Sequence, residues 1–388
     1  MPEDTTGGLH HVDFGGTEGP DIVLVHGLGG SHLNWDLVAP RLTAHGHVLA
    51  LDLPGFGLST PNGRAATVQR NVRVLEDFVR TRAHAPVVLV GNSMGGLVSV
   101  LLTARSPELV RALVLLDPAL PAPSRVLRSP TAAAQLLMQA IPGVGERVRA
   151  TRRRRRGAHR TVLDTLQLCG VDPAGLPPDL LERSVALAAR QDDVAGMDRA
   201  FLSASRSLTW ALLRTHRYRA AREAIDVPVL LVHGDRDALV PVAAARTVAA
   251  QHPTWRYVEL PGAGHLPQLQ EPETVGRLIG EWLQSLRHGT PGSGRERSAA
   301  ADRPAARHGT GEHHGHTRDE PEVVPATGVV HLADADGVGE QRHDERDRQD
   351  QPVPEPQPEP GDLRAGDDLR IRSGGTPDQQ PGDDEQDH

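Results

Sequence analysis

The segment most suggestive of chemistry is Gly91–Gly96, which reads GNSMGG. Glycines on both sides of Ser93 allow a sharp turn that leaves the serine hydroxyl exposed. An apolar run precedes this segment and a helix-like stretch follows it, which is the setting of a nucleophilic serine. The alternative is a glycine-rich strand–helix turn in which the serine only caps the helix. We predict that Ser93 is a nucleophile.

A base and an acid for this serine are found later in the chain. His265 lies in Gly262–Pro267 (GAGHLP), on a glycine-flanked loop after the last predicted strand. The alternative role for this histidine is to stiffen its loop. In the chain order serine, acid, histidine, the acid precedes His265. Asp235 and Asp237 of the segment HGDRD are the main candidates, and Asp117 is a further one.

Acyl transfer also needs hydrogen-bond donors where negative charge develops on the substrate oxygen. The glycine-rich segment His26–Gly30 (HGLGG) follows a predicted strand and lets backbone N–H groups approach closely. We predict that the N–H of Met94, the residue after the serine, and the N–H of Leu28 form this oxyanion hole. His26 is a second histidine near a strand end, and we interpret it as a residue that stabilises its loop.

Short apolar runs rich in valine and leucine must position these segments. Continuous rather than alternating apolar runs indicate strands buried on both faces, as in a parallel sheet. Helix-like stretches separate them, and this alternation predicts an α/β fold with a doubly wound, mostly parallel sheet. The predicted strands are Asp21–His26, His47–Leu53, Val87–Val90, Ala112–Leu116, Val227–Val232 and Arg256–Leu260; the predicted helices are Ala65–Arg82, Met94–Arg105, Val242–Gln251 and Pro272–Leu286.

The alternation is interrupted between residues 118 and 225, where only helical segments are predicted. A helical block between two strands of one sheet is expected to lie over the strand ends as a cap. The predicted domains are therefore a core of residues 1–117 and 226–288 and a cap of residues 118–225. The predicted cap helices are Ala132–Ala140, Leu180–Arg190 and Leu208–Arg222, and its candidate pocket-lining residues are Leu136, Leu137, Met138, Phe201 and Trp210.

Residues 289–388 differ in composition from the rest of the chain. They contain 19 apolar and no aromatic residues, with 11 arginines against 23 acidic side chains, a net charge of −12. The first 288 residues therefore carry +4 of the total of −8. Low hydrophobicity with high net charge predicts a disordered C-terminal tail, and only the preceding residues can form a large core.

The sequence argues against several classes of protein. A single cysteine, Cys169, excludes an internal disulfide and a cysteine-cluster metal site. The first nine residues, MPEDTTGGL, lack the apolar stretch of a secretory signal, and the most apolar window is interrupted by glycines. We expect a cytoplasmic protein without a membrane span. Arg152–Arg156 is interpreted as a solvated helix end or loop rather than a phosphate or acidic-partner site.

No cofactor and no metal are predicted, because the chain has no phosphate loop, dinucleotide fingerprint or HExxH motif. The tail histidines His313, His314 and His316 are not expected to hold a metal without a surrounding fold. The expected partner is a small acyl substrate, with no nucleic acid.

Five motifs in order resemble the α/β-hydrolase superfamily: HGLGG, DLPGFGLS, GNSMGG, HGDRDALVP and GAGHLP. The resemblance covers about residues 9–287. It implies Ser93 as nucleophile, His265 as base and Asp237, at the G-x-x-D position, as the acid. It also implies an initial hairpin, but Leu9–Phe14 is the sole strand candidate before residue 21, which suggests that the first strand is missing. Dehalogenases and epoxide hydrolases of this fold carry aspartate at the nucleophile position, and Ser93 argues against both.

We therefore predict a serine hydrolase that cleaves a small carboxylic ester through an acyl-enzyme. The first alternative is a carbon–carbon hydrolase acting on ring-cleavage dienoates, which shares the GNSMGG motif but commonly has proline where this chain has Gly29–Gly30. The second is a non-catalytic binding protein of the same fold, which usually lacks a member of the triad.

Overall fold

The computed structural model describes residues 3–4, 8–16, 19–61, 63, 65–121 and 144–288. In this part of the chain, eight strands form one sheet. In chain order they are β1 (Glu3–Asp4), β2 (His11–Gly15), β3 (Ile22–Val25), β4 (Val48–Leu51), β5 (Val87–Asn92), β6 (Val110–Leu116), β7 (Val229–Gly234) and β8 (Arg256–Leu260). The predicted tail and the predicted helix at Ala132–Ala140 lie outside the described residues.

Across the sheet the strands lie in the order β1-β2-β4-β3-β5-β6-β7-β8. The β1–β2 and β2–β4 pairs are antiparallel, and all later pairs are parallel. Along β3, Val23 and Val25 pack into one apolar core, whereas Ile22 and Leu24 pack into the core on the opposite face. Both faces of the sheet are therefore buried, which confirms the interpretation of the apolar runs.

The expectation of a missing first strand was wrong. β1 pairs with β2 through Glu3 opposite Val12 and Asp4 opposite His11, so the hairpin is present. Apolar patterns do not predict this strand, because it is two residues long and contains no apolar side chain.

Helices cover both faces of the sheet and fill the insertion between β6 and β7. In the helix Val68–Arg82, the residues Val68, Val72, Leu75 and Val79 recur at three- and four-residue spacing and pack into the first core. The described helices are α1 (Ala39–Leu42), α2 (Val68–Arg82), α3 (Met94–Arg105), α4 (Val144–Leu168), α5 (Pro178–Asp192), α6 (Met197–Leu213), α7 (Thr215–Glu223), α8 (Val242–Gln251), α9 (Pro267–Gln270) and α10 (Pro272–His288). None of them is long and apolar enough to cross a membrane.

Within the insertion the helices α4 to α7 differ in their bounds from the predictions. The predicted helix Leu208–Arg222 is two helices, because Arg214 between them has a non-helical ψ of 56°. Arg152–Arg156 lies within α4, which is interrupted one residue later at Gly157, where φ is 71°. A glycine tolerates this left-handed conformation without steric cost, and it allows α4 to change direction.

Candidate active site

Ser93 lies on a strained turn between β5 and α3. Its φ of 52° and ψ of −119° are unusual for a residue with a side chain. The turn is maintained by neighbouring backbone: Ser93 N–H donates to Leu116 O at 3.2 Å, and Ser93 O accepts from Ala119 N–H at 2.9 Å. Strain held by surrounding structure is typical of a functional position.

Glycine is required on both sides of this turn. A Cβ atom on Gly91 would lie 2.7 Å from the backbone of Gly95, and a Cβ atom on Gly95 would lie 2.1 Å from the carbonyl oxygen of Val25. The first turn of α3 therefore packs directly against β5 and β3. The sequence motif GNSMGG corresponds to a steric requirement at this place.

The loop after β3 reaches the same place. A Cβ atom on Gly27 would lie 3.0 Å from Ser93 Cβ, so the backbone of this loop passes beside the serine. The adjacent Leu28 packs against the first core. On the other side of Ser93, Met94 begins α3, and the first N–H groups of a helix have no partner within the helix. Of the two residues predicted to form the oxyanion hole, Met94 thus follows Ser93 in the chain and Leu28 follows the glycine that lies beside it.

His26, at the start of this loop, has both ring nitrogens in hydrogen bonds. Its Nε2 accepts from Leu53 N–H at 3.0 Å, and its Nδ1 therefore carries the proton and donates to Gly27 O at 2.7 Å. Complete burial lowers the pKa of His26. A neutral ring with both nitrogens occupied stabilises the loop, as expected from the sequence, and is not placed to accept a proton.

His265 and Asp237 are hydrogen-bonded at 2.7 Å between Nδ1 and Oδ2. The other carboxylate oxygen, Oδ1, accepts from the N–H groups of Leu239 and Val240 at 2.7 and 2.9 Å. Burial acts to raise the pKa of Asp237, but these donors and the charge of His265 hold it below its ordinary value. The carboxylate is therefore ionised, and it holds His265 in the tautomer that carries its proton on Nδ1.

Two further residues position the loop of His265, and the sequence motifs predict neither. The side-chain amide of Asn92 donates to His265 O at 3.1 Å and to Leu116 O at 3.0 Å. The carbonyl oxygen of Cys169, at the end of α4, accepts from His265 N–H at 2.9 Å. The residue before Ser93 thus joins the serine turn to the histidine loop, and the insertion contacts the same loop. A polar side chain at a buried strand end was the one available sequence signal for Asn92.

The other two candidate acids are placed differently. Asp235 Oδ1 accepts from Gly262 N–H at 2.7 Å, so it stabilises the turn that leads to His265. Asp117, directly after β6, accepts from Gly234 N–H at 2.9 Å through Oδ1. Burial and the nearby charge of Asp237 raise the pKa of Asp117 well above its ordinary value. Of the three aspartates, Asp237 is the one that contacts the ring of His265.

The candidate cap residues fall into three groups. Leu136, Leu137 and Met138 lie outside the described residues. Phe201 lies beside the loop after β3, since a Cβ atom on Gly29 would be 3.1 Å from its ring. Trp210 is 61% exposed, so it does not line a closed pocket. The structure describes the backbone of residues 152–154 but not their side chains. The tail histidines His313, His314 and His316 lie outside the described residues.

Among the described residues, two buried clusters contain residue types that can bind metals. They are His10–His32–Asp52 and Asp117–His233–Asp237, and in each cluster one atom per residue lies within 4.8 Å of the others. In the first cluster His10 Nδ1 and His32 Nδ1 both contact Asp52 Oδ2, at 2.8 and 2.9 Å. Protons between these atoms account for the short distances, so the atoms that would bind a metal already form hydrogen bonds.

Comparisons with known proteins agree with the fold and the motifs. The chain is 29% identical over 272 residues to the pimeloyl-(acyl-carrier protein) methyl ester esterase of Yersinia enterocolitica serotype O:8 / biotype 1B, an alignment that covers 68% of this chain and 93% of the relative. A solved membrane phospholipase A has a TM-score of 0.56 at 27% identity, over 72% of this chain and 83% of that chain.

Haloalkane dehalogenase DbeA from Bradyrhizobium elkani USDA94 has a TM-score of 0.58 at 21% identity, over 73% of this chain and 96% of that chain, and shows a shared fold. Residues 22–278 match the sequence profile described as the alpha/beta hydrolase family. This match covers β3 to β8 and includes Ser93, Asp237 and His265. The chain is thus a hydrolase and belongs to the alpha/beta hydrolase family.

Proposed function

We propose that this enzyme is a serine hydrolase that cleaves a small carboxylic ester through an acyl-enzyme. The observation that carries the proposal is the buried 2.7 Å hydrogen bond between His265 and Asp237. It lies at the same edge of the sheet as the strained turn at Ser93, and Asn92 joins the two. A nucleophile, a base and an orienting acid on one edge constitute the arrangement needed for acyl transfer.

In the proposed mechanism, His265 Nε2 takes the proton of Ser93 while the serine oxygen attacks the carbonyl carbon of the ester. The N–H groups of Leu28 and Met94 donate to the resulting oxyanion. The carbon–oxygen bond to the alcohol then breaks, and the imidazolium returns its proton to the alcohol. Water then gives a proton to His265 and attacks the acyl carbon, the bond to Ser93 breaks, and the imidazolium returns its proton to the Ser93 oxygen. Asp237 stabilises the imidazolium in both steps.

The insertion, residues 118–225, is proposed as the cap that selects the substrate. Phe201 lies beside the loop after β3, and a Cβ atom on Gly55, in the loop after β4, would lie 2.3 Å from Ala200 Cβ. The helix α6 therefore packs closely over the loops that follow β3 and β4. This packing supports a small acyl group, and the similarity to a methyl ester esterase supports a small alcohol as leaving group.

The GNSMGG motif also favours a second candidate, the hydrolysis of a carbon–carbon bond in ring-cleavage dienoates. Such enzymes commonly carry proline in the oxyanion loop. This chain has Gly29 and Gly30 there, and Gly29 has a φ of 79° that proline cannot adopt. We therefore favour ester hydrolysis.

Fluorophosphonate labelling tests the proposal. The wild-type enzyme and a Ser59→Ala control are expected to be labelled, whereas Ser93→Ala is expected to remain folded and unlabelled. A panel of esters of increasing acyl length, lactones and dienoates then identifies the reaction. Labelling of Ser93→Ala would exclude Ser93 as the nucleophile, and turnover of dienoates but not esters would favour the second candidate.

A further inference from the structure

Asp117 is a buried carboxyl group that the mechanism above does not use. It follows β6 at the catalytic edge of the sheet, is fully buried, and has a φ of 42°, which is unusual for a residue with a side chain. Its N–H donates to Val232 O at 2.9 Å, and its Oδ1 accepts from Gly234 N–H at 2.9 Å. Backbone and side chain thus both hold Asp117 against the end of β7, and Asp237 follows that end by three residues.

The second oxygen of this carboxyl group, Oδ2, is buried and accepts no hydrogen bond from any described residue. The nearest ring, that of His233, has its Nε2 3.6 Å from Asp117 Oδ1 and 3.6 Å from Asp237 Oδ2. That nitrogen lies 2.8 Å from Val240 O, a group that only accepts, so its proton is used there. An ionised Asp117 would thus have one buried oxygen without a hydrogen-bond donor from the described residues, beside a second carboxylate.

One of two such neighbouring carboxyl groups retains a proton, because like charges in a buried site oppose ionisation. The surroundings decide which one. Asp237 receives three donors, from Leu239, Val240 and His265, whereas Asp117 receives one, from Gly234. Burial and the charge of Asp237 both raise the pKa of Asp117.

We propose that Asp117 is a positioning residue whose carboxyl group keeps its proton during turnover and donates it in a hydrogen bond to the Asp237 carboxylate. The proposal rests on the proposed role of Asp237 as the acid of the triad. The donor holds the carboxylate in place behind His265. It also withdraws negative charge from Asp237, which weakens the stabilisation that this carboxylate gives to the imidazolium formed during turnover.

Other titratable groups face this pair from the neighbouring elements. Burial lowers the pKa of His233, and burial raises that of Cys169 to about 11, so His233 is neutral and Cys169 stays protonated. The remaining groups are Tyr257 and Glu259 on β8 and His265 itself; Glu259 is paired with Arg246 at 2.6 Å. The carboxyl groups of Asp117 and Asp237 lie in one buried cluster with His233, in which one atom of each residue lies within 4.8 Å of the others.

The first experiment measures the proton without using activity. The ordinary pKa of Asp117 is 3.8, and a native value above it stabilises the fold fully below pH 3.8 and progressively less as pH rises. The amide of the Asp117→Asn variant does not titrate and has no such loss. Both proteins carry Ser93→Ala in this experiment. The melting temperature of the Asp117→Asn variant minus that of the protein with Asp117 should therefore increase from about pH 4 to about pH 8. A constant or decreasing difference would overturn the proposal.

The second experiment tests whether the donor acts on the triad. Asp117→Asn retains an amide donor and an acceptor, so it should keep most of the wild-type turnover and the same acidic limb of the pH profile. Asp117→Ala removes the donor and should move the acidic limb of kcat/KM upward by about one pH unit. Asp235→Ala, which removes a structural hydrogen bond of the same loop, is the matched control and should leave the limb in place.

The two experiments separate failure of the inference from failure of the proposed function. Should none of the Asp117 variants alter the pH profile, the positioning role is wrong even if the melting data show a retained proton. Should Ser93→Ala and Asp237→Asn keep esterase activity, the proposed triad is wrong, although the melting experiment still determines the protonation of Asp117.

Discussion

Two regions of this molecule contain a serine, histidine and a buried aspartate at the same edge of the sheet. One is the candidate site of Ser93, His265 and Asp237. The other follows β4 and consists of Asp52, Ser59 and two histidines, His10 and His32. In both, a histidine Nδ1 lies within 2.9 Å of a carboxylate oxygen. Residue types alone therefore do not distinguish them.

The difference lies in what each serine contacts. Ser59 Oγ donates to Asp52 O at 2.7 Å and accepts from His10 N–H at 2.8 Å, and the residue is 1% exposed. Its hydroxyl group is therefore used in hydrogen bonds to the backbone of two different segments. Ser93 is 9% exposed at the tip of a strained turn, and its backbone rather than its hydroxyl makes the structural hydrogen bonds. A hydroxyl group can react only where its structural work is done by other atoms.

The two aspartates differ in a related way. Asp52 accepts from two histidine rings and from the N–H groups of His32 and Leu58, at 2.6 and 2.8 Å. Burial acts to raise the pKa of Asp52, but the hydrogen bonds from His10 and His32 hold it far below its ordinary value. Asp52 thus connects the start of β2, the short helical turn after β3 and the loop after β4. Asp237 connects its own loop to Nδ1 of His265, which leaves Nε2 of that ring available.

The largest contrast is expected from removing the negative charge of each aspartate. Asp237→Asn should remain folded but lose turnover by about ten-thousandfold, because an amide neither holds the required tautomer nor stabilises the imidazolium. Initial rates with the best ester of the panel, measured alongside thermal melting, test this prediction. Asp235→Asn is the matched control and should cost far less. Retention of most activity by folded Asp237→Asn would show that the acid lies elsewhere.

Asp52→Asn should instead reduce stability. The new amide group would direct donors at the rings and N–H groups that now donate to the carboxylate, and loss of a buried ionic partner costs about 3–5 kcal/mol of the free energy of unfolding. Denaturant unfolding measures that loss, and turnover per folded molecule should stay close to the wild-type value. A variant of normal stability that is inactive would reverse the assignment of the two regions.

The pH dependence of stability should follow Asp52. Because its native pKa lies below its ordinary value of 3.8, its contribution is complete above about pH 4 and is lost as pH falls through the native value. The difference in melting temperature between wild type and Asp52→Asn should therefore be largest near neutral pH and shrink below about pH 4. A difference that grows on acidification would mean that the native pKa of Asp52 is raised.

The smallest expected effect belongs to Ser59→Ala. Removing this hydroxyl group leaves His10 N–H and Asp52 O without their partner and should cost about 1–3 kcal/mol of stability. Fluorophosphonate labelling should be unchanged, in contrast to Ser93→Ala. Loss of labelling in a folded Ser59→Ala protein would indicate that the loop after β4 contributes directly to the active site.

Much of the sheet could be predicted from short apolar runs. The predicted bounds are correct for one strand, Arg256–Leu260, and for two helices, Met94–Arg105 and Val242–Gln251. The other predicted strands differ by a few residues at their ends. These elements are buried on both faces or carry a clear apolar stripe, so local sequence reflects their packing. β1 and the interrupted helix α4 could not be predicted, because neither has a distinctive apolar period.

The sequence by itself determined the residues that can do chemistry and the turn that presents Ser93, because the glycines at positions 91 and 95 lie next to it and act through local sterics. Tertiary structure alone decided the partners. Asn92 donates to His265 O across a separation of 173 residues, and Asp117 lies beside Asp237 because β6 and β7 are neighbours in the sheet. Local periodicity carries no information about such contacts, since they depend on which strands pair and where each strand ends.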